Sequence, residues 1–454
     1  MGAVSRAIRK PISVDRAPSV RKATAGNTLR LHEPTMDVQC SKEFNRRTKV
    51  LAATKWSSLM GWIQLPSLEQ AFRNVKRNRG AAGVDKVSIL MFEANLEQNL
   101  QALLRRLQNG TFRPLPLRRV DIPKSPGKTR PIGIPAVRDR VVQEELRAIL
   151  SIPFERIFHE DSYGFRPARS CHMAVQKVLE SYRLGYKFVL DADISGFFDN
   201  LPHKVMMDGL TELIADGSIL DLIERFLKAG VIKDGVFHST RMGTPQGGVI
   251  SPLLANIALN SLDWRLHNEG FRFVRYADDF VVLAQSEDQV KAAHELVQTH
   301  LQLIGLTLSP EKTRMTTFHE GFAFLGFDIS DRSVAMRPKS VEKFKTQIRE
   351  LTPRHHNLDQ EVIRKVNAVV RGVANYFAAP FAHVVDLFRG LDRWIRMRIR
   401  CMKFKRKSRS DNRRLRLKHL KRLGLIDLLK PRAPPEVGTT NASHEALTTG
   451  SPGA

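Results

Sequence analysis

Between Phe271 and Ala284 the chain reads FRFVRYADDFVVLA, two β-rich runs flanking Ala277, Asp278 and Asp279, and no other stretch constrains the fold so tightly. Short β-branched and aromatic runs broken by such a turn form an antiparallel hairpin with acidic residues at its tip. A lone hairpin is marginal in water, so the chain must supply further strands or helices for it to pack against. Two adjacent carboxylates between apolar strands are costly unless solvated, protonated or coordinated to a cation, and hard oxygen ligands suit Mg²⁺. An ordinary solvated turn is the competing reading, because Asp favours turns for local reasons.

A second acidic strand shifts the balance. In KFVLDADISGFF, residues 187–198, period-two alternation puts Asp191 and Asp193 on one face and Leu190, Ala192 and Ile194 on the other. If this strand pairs beside the hairpin, Asp193 and Asp278 can share two Mg²⁺ ions, one activating a primer 3′-hydroxyl and the other holding a triphosphate and its leaving pyrophosphate. Spacing alone leaves a surface acidic cluster as the alternative.

From about Lys55 to Val334 helical patterns alternate with short β-rich runs without a low-complexity break, which predicts one large α+β unit over residues 55–335. Residues 336–430 read as a separate helical domain with a basic end, in which Val366, Val369, Val370 and Val373 recur at helical spacing. Residues 1–54 read as a basic, partly disordered arm, in preference to an organellar transit peptide, and 431–454 as a disordered tail rich in Pro, Thr, Ser, Gly and Ala. Lys and Arg outnumber Asp and Glu by 73 to 46, a formal charge of +27 that steers polyanions onto the surface. No stretch approaches the roughly 20 apolar residues of a membrane span, so nucleic acid is the expected partner and a membrane is not. Cys40, Cys171 and Cys401 form no CxxC pair, which argues against a disulfide framework or zinc module and for a reducing, cytoplasmic location, with an organelle as the alternative.

YADD at 276–279, DISGFF at 193–198 and TPQGGVISPLLANI at 244–257 together resemble group II intron reverse transcriptases. NRGAAGVD at 78–85, RPIGIPAVRDRVVQ at 130–143, SYGFRPARSCHMAV at 162–175, GLTLSPEKT at 305–313, FAFLGF at 322–327 and RGVANYF at 371–377 extend the likeness over about Leu65 to Leu425. The resemblance implies a right-hand polymerase with fingers and palm followed by an α-helical thumb or maturase domain. It implies RNA-directed DNA polymerisation, with an RNA template, a DNA primer, deoxynucleoside triphosphates, intron RNA and a DNA target as partners. Residue by residue, it places two Mg²⁺ ions on Asp193, Asp278, Asp279 and the Ile194 carbonyl. Asp191 receives no role.

The same resemblance makes Phe198 the ring that excludes a 2′-hydroxyl. Lys124, Arg130 and Gln246 become nucleotide contacts, Lys312 an aid to pyrophosphate departure, and Phe324, Leu325 and Gly326 a hairpin gripping the primer strand. Ser251 is expected to cap the helix that follows the Pro-Gln-Gly-Gly turn. The run containing Arg396, Arg398, Arg400, Lys403, Lys405, Arg406 and Lys407 is expected to contact RNA phosphates, having few balancing acids. Phe388, Leu391 and Trp394 are expected to pack a helix bundle. Unlike longer family members, the sequence shows no Cys/His-rich endonuclease segment after the thumb, so second-strand nicking is not expected. The rival readings are a non-catalytic splicing factor, which would have damaged carboxylates, and a domesticated defence or CRISPR-associated relative.

Overall fold

The computed structural model describes residues 55–125, 128–244 and 247–429. The expected arm, the tail, Cys40 and Gln246 lie outside the described residues. The first described portion is helical, with Leu65–Asn78 and Ile89–Ala94 packed beside the long helix Val137–Phe154 and Leu96–Gln108 packed on those two. Between them a long hairpin, β1 (Leu117–Ser125) and β2 (Lys128–Ile134), projects the basic segment and pairs Ile122 with Arg130.

Three further strands appear before the central helix: β3 (Phe188–Asp193), then the short pair β4 (Val231–Lys233) and β5 (Val236–His238). After that helix, Ser251–Asn268, come β6 (Arg272–Tyr276), β7 (Asp279–Ala284), β8 (Arg314–Thr317), β9 (Phe322–Phe324), β10 (Phe327–Ile329) and β11 (Val334–Met336). Among the described residues these strands form three sheets, in the orders β2-β1-β4-β5, β6-β7-β3-β8 and β11-β10-β9. The second is antiparallel throughout. It is the palm, and the expected α+β class holds.

Period-two alternation in the palm strands divides the molecule's interior. Leu190, Ala192, Phe273, Phe280 and Val282 point to one core, shared with the helices on the N-terminal side. Val189, Val274, Val281 and Leu283 point to the other, shared with β9 to β11 and with the helices Pro338–Leu351, Gln360–Phe377 and Val385–Phe404. Successive strand residues face opposite ways, so a four-stranded sheet buried on both sides is the shared wall of both cores. The helices after Pro338, expected to form a separate domain, therefore bury their apolar stripes against the back of the palm. Phe377, Phe388 and Leu391 are buried there, as bundle packing requires.

The central helix is buried along its unbroken run Leu253–Asn260, which is why it shows no amphipathic pattern. The expectation for Ser251 is corrected: Ile250 is the N-cap residue, without a side-chain cap, and Ser251 Oγ instead accepts from buried Thr244 Oγ1 at 2.6 Å.

Among the described residues, Arg275 on β6 is the largest fully buried side chain. Its Nε donates to Asp263 Oδ1 at 2.7 Å, and its Nη1 donates to Asn256 Oδ1 at 2.9 Å and to the Ala277 carbonyl at 3.0 Å. Asn256 Nδ2 in turn donates to the Gly164 carbonyl at 2.8 Å. A buried guanidinium is tolerable because nearly every N–H finds an acceptor, and removing one partner strands the other charge. Arg275→Ala should therefore cost about 3–5 kcal/mol of stability, read as a lowered urea midpoint.

Candidate active site

The hairpin expected around Ala277 to Asp279 is a two-residue turn. Tyr276 pairs with Asp279 across it, so Asp279 opens β7 and only Ala277 and Asp278 form the tip. Ala277 takes φ +60°, the left-handed conformation that tight hairpins need and that non-glycine residues resist. Two groups hold it there: Arg275 grips its carbonyl, and Gly164 backs onto its amide so closely that a Cβ on Gly164 would stand 2.3 Å from Ala277 N.

The strand neighbourhood left open by spacing is resolved by the ladder. β3 pairs antiparallel with β7, and Asp193 stands opposite Asp279. A strap from Thr307 to Thr313 encloses the end of β3: Ser195 N donates to Thr307 O and Ser309 N donates to Asp193 O. Neither of these ladder bonds uses the Ile194 carbonyl. The strap also carries Lys312, whose Nζ donates to Asp193 Oδ1 at 2.7 Å.

Asp193, Asp278, Asp279, Ile194, Arg130, Phe198 and Lys312 all line one cleft of about 710 Å³. Arg130 reaches it from β2. Phe198, partly buried, is edge-to-face with Phe197 at 5.2 Å. Gly247 also lines it, and its close approach to Gly133 O, 2.5 Å from any added Cβ, packs the turn after Gln246 onto β2. Val249 N of the same loop donates to Gln143 Oε1 at 2.7 Å.

Electrostatics mark the cleft as short of cations. Burial first, then Asp191, Asp278 and Asp193, push the Asp279 carboxyl up to about 7, against a Leu325 N–H that favours its ionised form. Burial and Asp193 likewise raise Asp278, opposed by its own backbone N–H, Arg130 and Lys312. Burial raises Asp191 to about 6, with Arg314 and Arg337 opposing. Among the described residues no three such side chains converge as a ready metal cage, and Asp193 leans on Lys312. The donor set nevertheless fits a divalent cation, since it offers hard oxygens and an uncompensated negative charge that a cation relieves.

Two residues with no assigned role, Asn256 and Tyr376, hold the carboxylate edge in place. The turn Leu325-Gly326 joins β9 to β10 with φ +48° and +82°, the double left-handed turn of a tight hairpin. Its Leu325 carbonyl accepts from Tyr376 Oη at 2.8 Å, so Tyr376 ties the hairpin whose N–H touches Asp279 to the thumb. Asn256 and Tyr376 both lay inside quoted motifs, and only the folded chain shows what they bond.

The charge run near the end of the thumb is less free than composition suggests. Arg396 pairs with Asp427 at 3.1 Å, Arg398 donates to Thr352 O at 2.6 Å, Arg400 Nε donates to Leu415 O at 2.9 Å, Arg406 pairs with Asp411 at 3.1 Å, and Lys405 donates to His356 O. Lys403 and Lys407 are exposed and have no such partner among the described residues. The reason is physical: sequence displays charges, whereas carbonyl acceptors on neighbouring turns exist only after folding.

Fold and site together define a template-directed nucleic-acid polymerase of the right-hand type. The model of the family "Reverse transcriptase (RNA-dependent DNA polymerase)" matches residues 122–329 and that of the "Group II intron, maturase-specific domain" residues 341–423. Protein YkfC of Escherichia coli is 36% identical over 330 residues, covering 63% of this chain and 87% of that protein. Group II intron-encoded protein LtrA of Lactococcus lactis is 29% identical over 415 residues, 68% of each chain. A putative COX1/OXI3 intron 2 protein of Saccharomyces cerevisiae is 27% identical over 363 residues, 67% of this chain and 41% of that one.

The chain belongs to the group II intron reverse transcriptase and maturase family, as an RNA-directed DNA polymerase with a maturase domain. Divalent metal ions serve this family, and intron RNA is its partner. Among the described residues no helix is long and apolar enough to cross a membrane.

The raised carboxyl gives a pH prediction. Asp279 binds its proton more tightly folded than unfolded, so its contribution falls as pH rises from about 4 through about 7. Asp279→Asn should therefore be more stable than wild type by about 1–3 kcal/mol at pH 8, the difference shrinking towards pH 4. Urea unfolding across that range without added metal reads it.

Proposed function

We propose that the chain copies its host intron RNA into DNA from a primer 3′-hydroxyl and deoxynucleoside triphosphates, with Asp193 and Asp278 as the principal metal ligands. The observation that carries this reading is the Asp193–Asp279 register beside the Asp278 turn, which gathers hard oxygen donors at one end of the cleft. Two Mg²⁺ ions held by Asp193, Asp278, Asp279 and the Ile194 carbonyl would supply activation of the primer hydroxyl and charge neutralisation at the triphosphate.

The side chains do the remaining work. Lys312 neutralises Asp193 before substrate arrives, and can turn to the departing pyrophosphate because it is half exposed. Arg130 brings a fork of donors suited to phosphate oxygens. Phe198 walls the cleft where a sugar 2′-position would lie and selects deoxynucleotides. Lys124 and Gln246 join the nucleotide contacts on the strength of the resemblance alone. A cytoplasmic location and a DNA target belong to the same reading.

Primer extension on an RNA template tests it: Asp278→Ala should lower deoxynucleotide incorporation by about 10³-fold or more, matching the several kcal/mol that metal-assisted charge stabilisation supplies. Equal activity of the two proteins would sink the assignment.

For the maturase side, exposed Lys403 and Lys407 are the proposed phosphate contacts, with the tied arginines as structural anchors that keep the helix end in place. The double variant Lys403→Ala with Lys407→Ala should bind intron RNA with a log–log salt slope lower by about one to two, and should promote splicing at low Mg²⁺ less well. Primer extension should survive. An unchanged slope would move the RNA contact elsewhere on the thumb.

A further inference from the structure

Phe165 is placed at double disadvantage. The residue is 60% exposed, and its backbone sits at φ +57°, in the left-handed region that bulky residues avoid. A glycine or asparagine would relieve the backbone, and a polar residue would suit the solvent better. A strained residue at a site is held there by its surroundings, and such strain gathers where the side chain has work to do.

The surroundings are unusually determined. On one side Tyr163 N donates to Arg275 O at 2.8 Å, and Gly164 is locked between Asn256 Nδ2 and the Ala277 amide. On the other, Arg166 is buried, donating to the carbonyls of His159 at 2.5 Å and Ser162 at 2.8 Å and pairing with Glu155 at 2.9 Å. With residues 163, 164 and 166 clamped inward, Phe165 has one direction left. It lines the same cleft as the catalytic carboxylates, with its ring 6.3 Å from that of Tyr276.

An exposed aromatic residue beside the primer-extending carboxylates, with Tyr276 as its ring neighbour among the described residues, matches what an unpaired or terminal nucleobase requires. Stacking is indifferent to base identity because every base has a π-face. Resting on the polymerase reading above, we infer that Phe165 is a stacking platform for a nucleobase of the template–primer duplex at the active end of the cleft. The base comes either from the template or from the primer terminus.

The test uses the full chain and an RNA template annealed to a DNA primer, with 2-aminopurine at the templating position in one arm and at the primer 3′ end in the other. Phe165→Gly should unfold at the same temperature as wild type or higher, because the backbone is relieved. It should nevertheless bind the duplex about five- to hundredfold more weakly. Phe165→Trp should restore binding. A change of 2-aminopurine fluorescence between wild type and Phe165→Gly in the template arm assigns the template base, and in the primer arm the primer base.

Unchanged affinity and fluorescence in both arms would overturn the inference. So would a binding loss that tracks a fall in unfolding temperature and is not restored by Trp, since that marks a merely structural residue. Failure of the wild type to extend the primer would instead indict the polymerase reading.

Discussion

The buried pair of Arg275 and Asp263 is the interaction on which the catalytic geometry depends. One guanidinium reaches Asp263, Asn256 and the Ala277 carbonyl, and so joins the central helix to the tip of the palm hairpin. Asn256 passes the connection to Gly164. Three segments far apart in sequence, around residues 164, 256 and 277, are thereby held at one point. An ion pair in a dry interior adds little net stability compared with apolar packing, but it is directional and intolerant of a missing partner. That suits a site where a turn in a strained conformation has to stay in place to within a fraction of an ångström.

Around this fixed point the cleft is deliberately unbalanced. Asp279, Asp278 and Asp191 all have raised carboxyl pKa values, chiefly from burial and from one another, while Lys312 alone sits directly on Asp193. A fold stabilised for its own sake would not gather like charges in this way. A divalent cation held there would relieve the imbalance, which couples the electrostatics of the palm to the proposed chemistry.

The palm sheet serves as a wall between two cores, and this joins the maturase helices to the catalytic edge. Tyr376 on the thumb holds the Leu325 turn, and the Leu325 N–H favours ionised Asp279. The connection is a short series of contacts between a helix in the maturase-specific region and a carboxylate of the cleft. It arises because the thumb has no independent core to rest on.

The placement of the acidic residues was legible in the sequence, since period-two alternation and a turn between β-rich runs are local properties that put Asp193 on a strand and Asp278 and Asp279 at a hairpin, while their role came from the resemblance. The α+β class and the helical nature of the thumb were legible for the same reason. What residue lies opposite Asp193 was not, because register is a pairing between strands some 90 positions apart and nothing local encodes it. Nothing local marks Arg275 as buried, because Asp263 and Asn256, which close around it, lie 12 and 19 positions away. The exposure of Phe165 is likewise set by the contacts of its neighbours Gly164 and Arg166 with distant segments. The arginines after residue 393 read as free charge until folding brings carbonyls and carboxylates to them. Sequence determined which chemical groups the protein possesses and which elements carry them. Tertiary structure decided which are buried, paired or presented, because burial and partnership come from atoms distant along the chain.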